Sequence, residues 1–104
     1  IQVLGLYGTS KAAEAGLARA LAVQWGPQNI RVNTIAPGLV KTDFAKALWS
    51  DAARLKSREA TTPLRRIGAP KDIGGVAVFL ASEAGAFVTG QMIVVDGGVT
   101  IAGS

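Results

Sequence analysis

Tyr7 and Lys11 stand four residues apart. On a helix that spacing brings two side chains to one face, with Cβ atoms about 5–6 Å apart. A phenol titrates near pH ~10 and is a poor acid or base at neutral pH. A neighbouring ammonium favours the phenolate and lowers that value. The pair can therefore move a proton to or from a substrate oxygen. On spacing alone, an exposed Tyr beside a solvated Lys fits the same residues. A second group with chemical use is Pro37-Gly38-Leu39-Val40-Lys41-Thr42, directly after a β-branched run. In open α/β sheets ligands bind beyond the carboxyl ends of the strands. Gly38 lets the backbone come close to a ligand. Backbone groups around Leu39 and Val40, with the Thr42 hydroxyl, can hydrogen-bond an amide or a phosphate. An ordinary Pro-Gly turn is the plainer alternative. Asp96 sits in an Asp-Gly-Gly turn with no partner at metal-ligand spacing, so no metal site is expected. The chain has no Cys and no His. Disulfides, thiolate chemistry and imidazole catalysis are thereby excluded.

The elements that must hold these groups are legible in outline. The chain has 104 residues, 49% apolar and 17% charged, a balance that excludes a disordered tail. No apolar run approaches the ~18 residues of a membrane-spanning helix, and the first residues do not resemble a signal peptide. There is no initiating Met, so the chain is expected to begin inside a longer reading frame. Residues 8–25 read as a helix stopped by Gly26-Pro27, with Ala13, Leu17, Leu21 and Trp25 on one stripe. Ile30–Ile35 reads as a strand ended by Pro37-Gly38. Residues 43–60 read as irregular helix, with Asp51 a cap for a second piece and Thr61-Thr62-Pro63 a break. Residues 71–81 read as a helix with Pro70 and Asp72 at its start. Gln91–Val95 reads as a second strand. Its unbroken apolar core predicts burial on both faces, as in a parallel sheet covered by helices. Two strands joined through helices predict a right-handed parallel crossover. Two strands alone do not make a stable sheet. The expected fold class is therefore α/β, the second part of a doubly wound parallel sheet whose first strands lie elsewhere.

The motifs resemble those of the short-chain dehydrogenase/reductase family. Tyr7-Gly8-Thr9-Ser10-Lys11-Ala12-Ala13 is similar to the start of its active-site helix. Asn29 to Gly38 resembles its sixth strand and Pro-Gly loop. Arg66 to Ile73 and Val78 to Ser82 resemble the segment before its last strand. Thr89-Gly90-Gln91 through Asp96-Gly97-Gly98 resembles its seventh strand and end. Four motifs in the right order cover nearly the whole chain, and only residues 43–60 are nonspecific. The resemblance implies that residues 1–104 are the C-terminal portion of one Rossmann-like domain, with a variable lid over about 41–62. It implies an NAD- or NADP-dependent oxidoreductase interconverting a ketone and a secondary alcohol. Tyr7 would be the acid or base. Lys11 would lower the Tyr7 pKa and hold the nicotinamide ribose. The Val40 backbone would meet the carboxamide, Pro37 and Gly38 would shape that loop, and Thr42 would bond the carboxamide or pyrophosphate. Within the family the pattern is most similar to 3-oxoacyl carrier-protein reductases and small carbonyl reductases. The implied substrate is a small carbonyl or alcohol, free or carrier-protein-bound. A cytoplasmic homo-oligomer, usually a tetramer in this family, is implied as well.

The family's glycine-rich phosphate turn, its catalytic Ser and Asn, and the residue selecting NAD or NADP have no match here. Ser10 cannot replace that Ser, because it lies on the helix within the Tyr7–Lys11 motif. The chain alone is therefore expected to be inactive. The alternative reading is a non-catalytic piece serving only as an oligomerisation surface, since the family's subunit contacts use the helix from Tyr7 and the last strand. Charge is uneven: residues 41–71 carry eight basic and three acidic residues, and no basic residue follows Lys71. That stretch reads as a solvated helix face, or as an attractor for an acidic carrier protein or a phosphate-bearing substrate. Nucleic-acid binding is not expected despite a pI of about 10.0, because the basic stretch holds only Phe44 and Trp49 as aromatics and no known motif.

Overall fold

The computed structural model describes the backbone of residues 2–102 and the side chains of residues 10–102. In chain order the elements are α1 (Gln2–Trp25), β1 (Thr34–Pro37), α2 (Lys46–Trp49), α3 (Ala52–Thr61), α4 (Pro70–Ala81), β2 (Met92–Val95) and α5 (Val99–Ala102). Among the described residues the sheet has two strands, β1 beside β2. The pairing is parallel. The Thr34 N–H donates to Gln91 C=O at 2.9 Å, and the Gly38 N–H donates to Val95 C=O at 2.9 Å. The chain divides into two compact units, residues 1–34 with 79–93, and residues 35–78 with 94–104.

In the first unit, α1 runs into a 3-10 turn, Gly26–Gln28, capped by Asn29, which takes the left-handed conformation at φ 60. Asn tolerates that conformation better than most residues. The buried face of α1 is Ala18 and Ala22, not the expected Leu stripe: Leu17 is 61% exposed and Trp25 is exposed as well. The reason is close approach. Gly90 has φ +73, and a Cβ built there would lie 3.4 Å from Ala22 Cβ. Small side chains are needed where that loop meets the helix. Gly16, read as either a packing contact or a tolerated residue, has nothing within 4 Å of its Cβ position among the described residues.

The first strand begins later than the β-branched run suggests. Residues 30–33 are held by backbone and side-chain bonds together: the Gly90 N–H donates to Val32 C=O at 2.8 Å, and the Val32 N–H donates to Thr89 Oγ1 at 3.0 Å. Arg31 Nη1 donates to the Leu80 and Gly85 carbonyls, the latter at 2.8 Å. Asn33 Nδ2 donates to Val88 C=O at 2.9 Å, while its Oδ1 accepts from Gln91 N–H at 3.0 Å. Leu80, at the end of the 71–81 helix, is the buried member of that helix's apolar face.

In the second unit, Asp51 caps α3 as expected, accepting from Ala53 N–H at 2.9 Å and Arg54 N–H at 3.3 Å. Thr62 is buried, and its hydroxyl closes the helix end by donating to Arg58 C=O at 2.6 Å. Arg65, at φ 60, reaches back to the Ala60 and Thr62 carbonyls. Gly97 and Gly98 take positive φ, and built Cβ atoms would meet Thr62 Cγ2 at 2.9 Å and Pro63 Cγ at 2.8 Å. Asp96 then caps α5, a short helix where the Asp-Gly-Gly residues alone predict a plain turn. Burial of both faces of β2 is not seen among the described residues, where Val94 is 50% exposed.

Candidate active site

Tyr7 and Lys11 both fall on α1, one turn apart, in the first unit. The Tyr7 side chain lies outside the described residues. Lys11 is partly buried, at 29% side-chain exposure, and its Nζ lies 3.7 Å from Glu14 Oε2. Glu14, three residues on, is a partner that the two-residue reading of this helix did not include. An exposed pair of this kind contributes about 0–1 kcal/mol, so its interest is in orienting the ammonium. Ser10 is exposed on the same helix.

Pro37, Gly38, Val40 and Thr42 belong to the second unit. Pro37 is the last residue of β1 rather than its first breaker. Gly38 has a structural reason to be glycine that differs from the expected one. A Cβ there would lie 2.9 Å from both Cα and Cβ of Asp96, so the close approach in this structure is to the neighbouring strand end. Leu39 and Lys41 are then tied to Gly68 in a parallel bridge. The Gly68 N–H donates to Leu39 C=O at 2.8 Å, and the Lys41 N–H donates to Gly68 C=O at 2.9 Å. The Leu39 carbonyl, expected to be open to a ligand, is therefore occupied. The bridging pattern turns the N–H and C=O of Val40 to the opposite side, and neither has a partner among the described residues. That is one donor and one acceptor side by side, the complement of a primary amide.

Thr42 ends this loop by starting the next turn. Its Oγ1 accepts from Ala45 N–H at 3.2 Å. Its carbonyl accepts from Trp49 Nε1 at 2.7 Å. The hydroxyl proton is left to donate outward. Lys41 Nζ stands 4.9 Å from the Trp49 ring centre. From the sequence Trp49 is simply an aromatic in a basic stretch. No local pattern connects it to Thr42.

Gly68 is held in place by its own neighbours. Arg66 and Asp72 form a two-pronged pair, at 2.8 and 3.3 Å, and Asp72 Oδ2 also accepts from Ala69 N–H at 2.7 Å. The Arg66 hydrogen bond, then the Ala69 amide, lower the Asp72 carboxyl to about 2. The signal for this was the Arg66 to Asp72 motif itself, read only for its likeness and its helix start.

Beyond the end of β2 lies an open concavity of about 650 Å³, lined by Leu64, Val94, Ile101 and other apolar groups, with Asp96 the titratable side chain on its wall. Asp96 is committed elsewhere. It accepts from the Thr100 hydroxyl, the Thr100 N–H at 2.9 Å and the Gly98 N–H at 2.8 Å. The hydroxyl first, then those amides, hold its carboxyl below the ordinary range. Among the described residues no cluster of His, Cys, Asp and Glu could hold a metal ion.

A family model described as enoyl-(acyl carrier protein) reductase matches residues 1–100. Pig dehydrogenase/reductase SDR family member 4 is 47% identical over 95 residues, which is 91% of this chain and 34% of that protein. The chain thus spans about a third of the length of the curated relatives it matches. A structure of 4-hydroxyisoleucine dehydrogenase complexed with NADH superposes with TM-score 0.84 at 37% identity, over 91% of this chain and 39% of that one. A structure from Agrobacterium tumefaciens with bound NADP superposes with TM-score 0.82 at 43% identity, over 91% and 39%. The parallel α/β pairing described above is that of these Rossmann-like structures. With its motifs, its fold and its relatives in agreement, the chain belongs to the short-chain dehydrogenase/reductase family.

Proposed function

We propose that residues 1–104 form the C-terminal portion of a single NAD(P)-dependent oxidoreductase domain, with residues 41–62 as its variable lid. Its reaction interconverts a ketone and a secondary alcohol. Tyr7 gives a proton to the carbonyl oxygen in reduction and takes it back in oxidation. Lys11 keeps the Tyr7 pKa low enough for that exchange and holds the nicotinamide ribose. The nicotinamide, when bound, supplies or accepts the hydride.

The observation that carries this reading is the unpaired amide of Val40. The Gly68 bridge pins the flanking residues, so the Val40 N–H and C=O are presented at a fixed angle at the carboxyl end of β1. A carboxamide needs one acceptor and one donor there, and Val40 has both. Pro37 and Gly38 set the entry of this loop, and Thr42 adds a hydroxyl donor. The bound NADH and NADP of the structural relatives support a dinucleotide as the ligand. The family likeness supports a homo-oligomer, a tetramer in this reading. No described helix is long and apolar enough to cross a membrane, and the proposed location is the cytoplasm.

The test is Tyr7→Phe in the intact protein. Turnover is expected to fall by at least about a hundredfold, the usual contribution of a positioned acid or base. Affinity for NADH or NADPH, read by fluorescence titration, is expected to stay within twofold. Unchanged turnover removes Tyr7 from the chemistry.

A further inference from the structure

The second unit carries a basic cleft on the lid, residues 41–62, to which the oxidoreductase reading assigns no ligand. Leu48 of α2 with Arg54, Ser57 and Arg58 of α3 line a concavity of about 310 Å³. Arg54 and Arg58 are four apart and share a helix face, with Ser57 next to Arg58. Neither guanidinium has an ion pair or hydrogen bond among the described residues. Among the described residues no acid pairs with either arginine. The Asp51 carboxylate caps the α3 amides, and Asp72 is paired with Arg66. Among the other cations of this unit, Lys46, Lys56, Arg66 and Lys71 do not line the cleft. Lys41 lies over Trp49, and Arg65 is bound to carbonyls.

We propose that this cleft binds the phosphomonoester group of a small molecule. Two guanidinia one turn apart offer planar donor forks that match a tetrahedral oxyanion. The Ser57 hydroxyl adds a third donor. Leu48, still 43% exposed, gives an apolar wall for the uncharged part of the ligand. A concave site one side-chain cluster wide favours a compact group over a flat acidic protein surface. The site stands on α2 and α3 alone, and its readout is binding. Its failure therefore leaves the Tyr7 and Lys11 chemistry untouched, and the converse holds.

The probe is inorganic phosphate, titrated calorimetrically into the intact protein at constant ionic strength. Saturable one-site binding is expected. Arg54→Ala and Arg58→Ala should each weaken it about tenfold, as expected for a charge-assisted bond lost. Lys56→Ala removes the same charge outside the cleft and should change affinity less than twofold. Both arginines are exposed, so the variants should unfold at the parent denaturant midpoint. The proposal is overturned if phosphate shows no saturable binding. It is equally overturned if Lys56→Ala weakens binding as much as the arginine changes, since net charge then explains everything. Binding of poly-glutamate without binding of phosphate would assign the face to an acidic protein and also overturn it.

Discussion

Replacing Gly38 by Ala tests whether the loop after β1 is held by its contact with β2. A methyl at residue 38 would stand 2.9 Å from Cα and Cβ of Asp96, where carbon atoms settle at about 3.5–4.0 Å. Both obstacles are backbone or next to it, so no side-chain rotation relieves them. The strand ends must part by roughly 0.6 Å to restore that contact distance. The Gly38 N–H to Val95 C=O bond, now 2.9 Å, stretches with them. Overpacking costs about 1–3 kcal/mol, and the weakened hydrogen bond about 0.5–1.5 kcal/mol more. Gly38 is not among the positive-φ glycines, so backbone strain adds nothing. Gly16→Ala is the internal control. Among the described residues it meets open space within a helix and should stabilise by up to about 1 kcal/mol. The assay is urea unfolding of the intact protein followed by far-ultraviolet circular dichroism. Gly38→Ala should lower the midpoint and weaken NADH binding, because Val40 sits two residues on. A Gly38→Ala midpoint equal to the parent would refute the close-approach argument.

Three further outcomes are expected. Asp72 is held at about 2 against an ordinary 3.8, so the folded state binds fewer protons than the unfolded one between those values. Its contribution is present above pH ~4 and is lost as pH falls toward ~2; Asp72→Asn should flatten that part of the stability–pH profile, and an unaltered profile would count against the Arg66 pair. Asp51→Ala removes the α3 cap and should cost about 1 kcal/mol in the same unfolding assay; no change would mean that water replaces the cap at no cost. The 104-residue chain alone should show no micromolar affinity for NADH or NADPH in a fluorescence titration, since no glycine-rich phosphate turn is present; saturable micromolar binding would contradict that.

The order of the elements and the family were readable from local information. The 3.6-residue period, Gly26-Pro27, Asp51 and Pro70 locate helices because caps and breakers act within a few residues of themselves. The Tyr7 and Lys11 spacing needs only a helix, and a helix is what residues 2–25 form. The motif order sufficed for the family, since each motif is a short unbroken stretch. What failed was everything decided by a distant neighbour. The buried face of α1 went to Ala18 and Ala22, because Gly90, some seventy residues away, packs there. Ahead of β1, Arg31 and Asn33 reach residues 80–91 with their side chains, contacts that no local pattern announces. The Leu39 carbonyl is occupied, and Val40 left open, only through Gly68. Residues that far apart in the chain meet by packing, and no period or spacing along one segment encodes which backbone group a remote glycine will take.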